Sequence, residues 1–233
     1  MRAVSLLAAT ALSLAACSTT TPKVDVAVVS VEQVAEPGWR GAISAEDTAR
    51  LESLPATWEA VRSLAERRSK TVWAGQAELL AADGALDHPA LPPGSYNCRL
   101  VSLGQKTARG PVVRTFNPFF CYVRGEGAEA LSFTKQTGTD LPGGWLHADG
   151  DRRYVFLGAK QRKPGDNSLG YGTEGDRDLA GVVERIAPFR WRLVVPWRSN
   201  KPGLDVYELT PVPAELQAPE ATQTTAKNKI PGG

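Results

Sequence analysis

The sequence predicts a mainly β chain of α+β type, an N-terminal helical hairpin packed on a small eight-stranded antiparallel barrel with one disulfide. Three observations carry this. From Tyr96 onward the apolar residues alternate with polar ones in short runs, the period of a half-buried strand. Before that point Leu51, Leu54, Trp58, Val61 and Ala65 recur at helical spacing and form one apolar stripe. Finally, Cys98 and Cys121 stand within that period-two region as a pair.

In chain order, the first element is a targeting segment. Arg2 supplies a positive end, Val4 to Leu14 are apolar, and Leu14-Ala15-Ala16 lead into Cys17. The apolar run is well short of the roughly 18–20 residues that span a bilayer, so residues 1–16 read as a secretory signal. With cysteine at the cleavage point the segment resembles a bacterial lipoprotein signal. That resemblance implies that Cys17 carries the lipid, and several acyl chains on one residue anchor a protein stably. Ser18 after Cys17, where Asp would retain a lipoprotein in the inner membrane, implies an outer-membrane location facing the periplasm. Residues 17–36, opening Ser-Thr-Thr-Thr-Pro after the cysteine, read as a tether between membrane and domain.

Residues 37–84 are the helical segment. Ser44 followed by Asp47 makes a capping-box-like start. Pro55 inside the stripe predicts a kink or break near Leu54. A second helix is expected over 71–82, stopped by Asp83-Gly84. Arg62, Glu66, Arg67 and Arg68 lie off the stripe and read as a solvated face. After the proline-rich joint of residues 87–94, the barrel occupies 94–210. Its strands are read around Tyr96–Leu100, Val113–Tyr122, Leu131–Phe133, Trp145–His147, Tyr154–Leu157, Ala180–Ile186, Trp191–Val195 and Leu204–Leu209. Closing such a meander removes exposed edges; an open two-layer sandwich is the alternative. Residues 211–233 carry too little apolar surface to order themselves and read as a disordered tail.

Charge and motifs exclude several functions. The formal net charge is +2, too weak to imply a nucleic-acid partner. Of three cysteines Cys17 is assigned to lipid, which leaves Cys98 and Cys121 to form a disulfide in an oxidising compartment. The two histidines, His88 and His147, are not in ligand spacing, so no metal and no cofactor is expected. Neither histidine accompanies a nucleophile motif, and Gly170-Tyr171-Gly172 lacks the helix a phosphate loop requires. Glu184 and Arg185 face Arg190 and Arg192 across a turn and read as cross-strand pairs that stabilise by a few tenths to about 1 kcal/mol.

One segment within the barrel is unusual. From Lys160 to Asp178 the chain runs without secondary-structure signals, and long loops in compact domains tend to carry function. Ser168, Tyr171, Asp176 and Arg177 are its candidate recognition residues, Tyr171 and Arg177 first because those types dominate interface energetics.

Tyr96-Asn97-Cys98-Arg99, the run Gly150-Asp151-Arg152-Arg153-Tyr154-Val155-Phe156-Leu157-Gly158, Ala180-Gly181-Val182-Val183-Glu184-Arg185-Ile186, Arg190-Trp191-Arg192-Leu193-Val194 and Gly38-Trp39-Arg40 form a set. Together they resemble a bacterial exported-protein family known as a domain of unknown function, over about residues 37–210. Pro55 is a departure not expected in that family's helix, and it breaks with the continuity the resemblance implies. Architecturally the chain is also similar to small envelope barrels that inhibit lysozymes or metalloproteases, with Ser168-Leu169-Gly170-Tyr171 only loosely like a lysozyme inhibitor's loop. The expectation is a lipid-anchored envelope protein, a non-catalytic protein-binding or inhibitor module contacting the membrane through Cys17 and an envelope protein through its loops. A small-ligand-binding barrel is the second reading, which a tightly filled interior would exclude; an unrecognised enzyme is the third.

Overall fold

The computed structural model describes residues 38–126, 130–138, 142–162 and 170–217. The signal, the tether and Cys17 lie outside the described residues, as do Ser168 and residues 218–233.

Four short helices come first: α1 (Trp39–Ala42), α2 (Ala45–Glu52), α3 (Leu54–Arg68) and α4 (Lys70–Ala74). Ser44 caps α2 by accepting the Asp47 backbone N–H at 3.1 Å. The expected break falls at Ser53, and Pro55 then sits in the first turn of α3, where its missing N–H would have no partner anyway. The apolar stripe survives the break: Leu51, Leu54, Trp58, Val61 and Ala65 are all buried. Helix α4 corrects the expectation of a second long helix, because it stops at Gly75 and residues 75–80 continue as turns. The carbonyls of Leu79 and Ala81 are given to the Arg192 guanidinium, at 2.9 and 2.6 Å.

Nine strands follow: β1 (Gly94–Gly104), β2 (Val113–Thr115), β3 (Phe119–Glu126), β4 (Ala130–Lys135), β5 (Pro142–Ala148), β6 (Arg153–Lys160), β7 (Asp178–Ala187), β8 (Arg190–Pro196) and β9 (Gly203–Pro211). They pair antiparallel in the order β2-β1-β3-β4-β5-β6-β7-β8-β9, and β1 pairs again with β9. Eight strands thus form a closed barrel, with β2 as a side strand on β1. The sandwich alternative is thereby excluded. The single expected strand through Val113–Tyr122 is split in two around Asn117-Pro118, since proline cannot donate to a ladder. Cys98 on β1 and Cys121 on β3 are bridged, with Cα atoms 6.0 Å apart.

Alternation along each strand divides the barrel wall. The outward apolar residues of β1, β6, β7, β8 and β9, among them Val101, Leu157, Val182, Val194 and Val206, pack under the helical stripe. Each such fully buried aliphatic or aromatic side chain stabilises by about 1.5–3 kcal/mol. The inward set fills the lumen, with Phe133 edge-on to Phe156 at 6.0 Å and Tyr96 edge-on to Trp191 at 6.3 Å. Gly144 and Gly158 face each other on β5 and β6, and a Cβ on Gly158 would collide with the Phe156 ring and the neighbouring backbone. One end of the barrel is sealed by the joint: Trp191 Nε1 donates to Pro89 O at 2.9 Å, the Tyr96 hydroxyl donates to Pro92 O at 2.6 Å, and Leu91 is buried in the lumen cluster.

The expected tail begins in order. Val212 N–H pairs with Ser95 O at 2.8 Å, and a short 3-10 turn covers Ala214–Leu216. Backbone pairing to β1 holds this stretch without apolar burial.

Candidate functional site

At the end of the barrel opposite the joint the described residues leave an opening. Strands β1, β4, β6 and β8 end there, and the described parts of the connections, at 105–112, 116–118, 136–138, 161–162, 170–177 and 197–202, lie around it. The alternation that fills the lumen with apolar rings places polar side chains on its last rung: Ser102 on β1, Lys135 on β4, Lys160 on β6 and Asp205 on β9. Below them lie Leu100, Phe119, Leu179, Val195 and Tyr207. Together these line a cavity of about 410 Å³. A broader groove of about 730 Å³ shares Lys106, Lys160 and Asp205 with it and extends over Trp197, Arg198 and Lys201.

The rung is internally braced. Asp205 Oδ1 accepts from the Ser102 hydroxyl at 2.7 Å and from Trp197 Nε1 at 3.0 Å, and Arg114 Nη2 donates to Ser102 Oγ at 2.8 Å. Lys135 is only 6% exposed, with its ammonium 4.3 Å from the centre of the Phe119 ring. The Lys106 ammonium stands 5.3 Å over the Trp197 ring, a cation–π arrangement.

The long loop from β6 to β7 borders this opening, and its candidate residues have distinct roles. The Tyr171 hydroxyl donates to Asp47 Oδ2 at 2.6 Å and accepts the Ser44 backbone N–H at 3.0 Å. Arg198, from the connection after β8, donates to the same Asp47 oxygen at 2.7 Å, and Arg50 closes the other side of that carboxylate. Asp47 therefore clasps the helices to two loops of the opening. Burial pushes its carboxyl up, but the bonds from Tyr171 and Arg198 and the Arg198 charge outweigh that and hold it below the usual 3.8. The Tyr171 phenol is raised, first by burial and then by Asp47. Arg177 donates through Nε and Nη2 to Lys160 O at 2.9 and 2.6 Å and closes the base of the loop. Asp176 is exposed and lines the groove. Two of the described candidates thus hold the loop, and one faces the opening.

Sequence reading missed Lys106, Lys135, Lys160 and Asp205, although the alternation that found the strands contains the signal for three of them. Lys135 lies two residues beyond the inward Phe133, Lys160 two beyond Gly158, and Asp205 two before Tyr207. Arg192, read as a partner in a cross-strand pair, does stand opposite Glu184 of β7, and it is fully buried. Its Nε and Nη2 reach Glu184 Oε2 at 2.8 and 2.6 Å, and its guanidinium carbon lies 5.3 Å from the centre of the Trp58 ring. His147 is half-buried on β5, and burial lowers its pKa. Among the described residues no group of three or more His, Cys, Asp or Glu is placed to hold a metal. No helix among them is long and apolar enough to cross a membrane.

The class defined by these features is a closed, disulfide-bearing antiparallel barrel covered by helices on one wall, sealed at one end and, among the described residues, open at the other. The family model for a domain of unknown function, DUF4893, matches residues 39–209, and the chain belongs to that family. No curated protein and no solved structure matches the chain.

Proposed function

We propose that the chain is a non-catalytic binding module of the cell envelope, anchored through lipidated Cys17, whose binding site is the open mouth of the barrel. The observation that carries the mouth reading is the asymmetry of the lumen. Aromatic and aliphatic rings fill its middle and the joint seals one end, while the other end holds a concave space with a polar rung above an apolar floor. Binding sites of this size combine an apolar lining with a few placed polar groups. The filled middle argues against a carrier that encloses its cargo, but leaves the mouth available to a ligand or a partner's protruding group. Support for the anchor is the Leu14-Ala15-Ala16-Cys17 signal alone.

The two halves have separate tests. Cys17→Ser is expected to move the protein from the membrane pellet to the soluble fraction; unchanged sedimentation would remove the anchor. For the mouth, native mass spectrometry of the protein released from its own membranes is expected to show a bound species. That species should be lost when Lys106 and Lys160, both exposed on the rim, are replaced together by Glu. A bound species retained by that variant would place binding elsewhere.

A further inference from the structure

We infer that a cavity between the helices and the barrel wall is a second binding site, built for a neutral saccharide ring. It goes beyond the mouth and does not depend on it.

Shape and lining come first. Between α1, α2 and α3 on one side and β6 and β7 on the other lies a cavity of about 620 Å³, within the roughly 300–1,000 Å³ of small-molecule sites. Its floor is apolar because the helical stripe runs beneath it: Leu51, Leu54 and Trp58 are all buried. One wall is the half-buried Trp39 ring. The Arg40 guanidinium lies 4.2 Å from the centre of that ring, on a side chain that is 71% exposed. A solvated group resting on an indole face marks a platform that the flat apolar side of a ligand can take over. Trp39 Nε1 is shielded from solvent and has no acceptor among the described residues. An orphaned donor of this kind gains from a ligand oxygen brought to it.

The charges around that floor nearly cancel. Arg40 Nη2 and Arg153 Nε share Asp149, at 2.8 and 2.7 Å, and Glu184 Oε2 takes both bonds from the buried Arg192. Glu52, exposed at the end of α2, lines the cavity with no ion-pair partner among the described residues. That balance selects against an anion, and a lone solvated carboxylate holds a cation weakly. Hydrogen-bonding capacity nevertheless remains on both sides. Each guanidinium keeps N–H groups beyond its bonds to Asp149, and Glu184 Oε1 accepts nothing among the described residues. Free donors beside free acceptors, with little net charge to satisfy, match hydroxyl groups, which give and take at once. A pyranose carries hydroxyls around its rim and C–H groups on its face, so it uses rim, floor and ring wall together. A peptide backbone also gives and accepts, but extended peptides are held by unpaired strand edges. Strands β6 and β7 are each paired on both sides.

The test uses the full chain carrying Cys17→Ser, with indole N–H and backbone amide signals followed by NMR. The probes are glucose, galactose, mannose, N-acetylglucosamine, cellobiose, chitobiose, cyclohexanol and trialanine, each taken to the tens of millimolar. At least one sugar is expected to saturate in the millimolar range. It should shift the indole signals of Trp39 and Trp58 and the amides of Arg153 and Glu184, while the Trp197 indole at the mouth stays unmoved. A disaccharide tighter than its monomer supports a glycan chain as the source, and equal affinity supports a free sugar. Arg40→Ala and Glu52→Ala, both at exposed positions, are each expected to weaken binding by about threefold to tenfold, and Trp39→Ala by about tenfold or more. The two exposed-site variants carry the test where Trp39→Ala disturbs the packing beside it, and undiminished affinity in both overturns the proposal. So does the absence of saturable Trp39 shifts with every sugar, or sugar shifts confined to Trp197. Cyclohexanol binding as tightly as the best sugar overturns it by showing a merely apolar cavity, and trialanine doing so by showing a peptide site. Complexes this weak do not survive release and dilution, so the mass-spectrometric test of the mouth stays separate.

Discussion

Arg192 is a charged residue with no exposed surface. It faces outward from β8, yet α3 and the turns after α4 cover it completely. Its guanidinium joins three segments by bonding Glu184, Leu79 O and Ala81 O. A lysine has the charge but not the fork, so Arg192→Lys is expected to cost roughly 2 kcal/mol through two lost bonds. Arg192→Met, which strands Glu184 and both carbonyls, is expected to cost about 3–5 kcal/mol. Chemical denaturation measures both; equal stability of the lysine variant would show that charge alone suffices. Asp47 makes a corresponding claim about pH. Its folded pKa lies below the unfolded value near 3.8, so its contribution is present above that pH and is lost as pH falls through the folded value. Asp47→Asn is expected to be about 2 kcal/mol less stable than the native chain at pH 7, because two charge-assisted bonds weaken. The gap should close as pH drops below about 3.8, and denaturation midpoints at pH 7 and pH 3 check this. The Ser44–Asp47 cap and the Glu184–Arg192 pair were legible in the sequence, but the other partners of these two residues were not, for one reason. Their partners, Leu79, Ala81, Tyr171 and Arg198, are far along the chain, and periodicity reports a residue's face without reporting what covers it.

The elements themselves were largely written in local pattern. Period-two runs located the strands because one side of each packs either in the lumen or under the helices. The stripe from Leu51 to Ala65 located α2 and α3 because both bury the same face across the break at Ser53. Pattern failed at the second helix, which stops at Gly75, a poor helix former inside the expected span, and continues as turns through Leu80. It also treated β2 and β3 as one strand despite Pro118, whose proper reading is a corner. Close approach of β5 and β6 was not legible either, since a glycine in a strand signals a bulge or a tight contact without saying which. Gly158→Ala is expected to destabilise by at least about 2 kcal/mol, because its Cβ would force the Phe156 ring and the β5 backbone apart. Thermal unfolding checks it. A Tm equal to that of the native chain would mean that the two strands are free to separate there.

At the scale of the whole molecule the barrel has two unlike ends, and the proposed function depends on that difference. The sealed end is closed by residues of the joint, whose prolines offer carbonyls to Tyr96 and Trp191 and no N–H of their own. The open end is framed by loops that the Asp47 clasp ties to the helices. The sequence pointed to the loop at 160–178, and the structure puts Asp176 of that loop beside the groove while Tyr171 and Arg177 hold it in place. The most direct measurement is site-specific photo-crosslinking in living cells. A photoreactive amino acid is placed either at Ser199, exposed on the groove, or at Phe189, 72% exposed on the turn at the sealed end. The account expects a discrete adduct from position 199 that disappears with Lys106→Glu and Lys160→Glu, and none from position 189. An adduct from position 189 alone, or one from position 199 that survives both charge reversals, would contradict it.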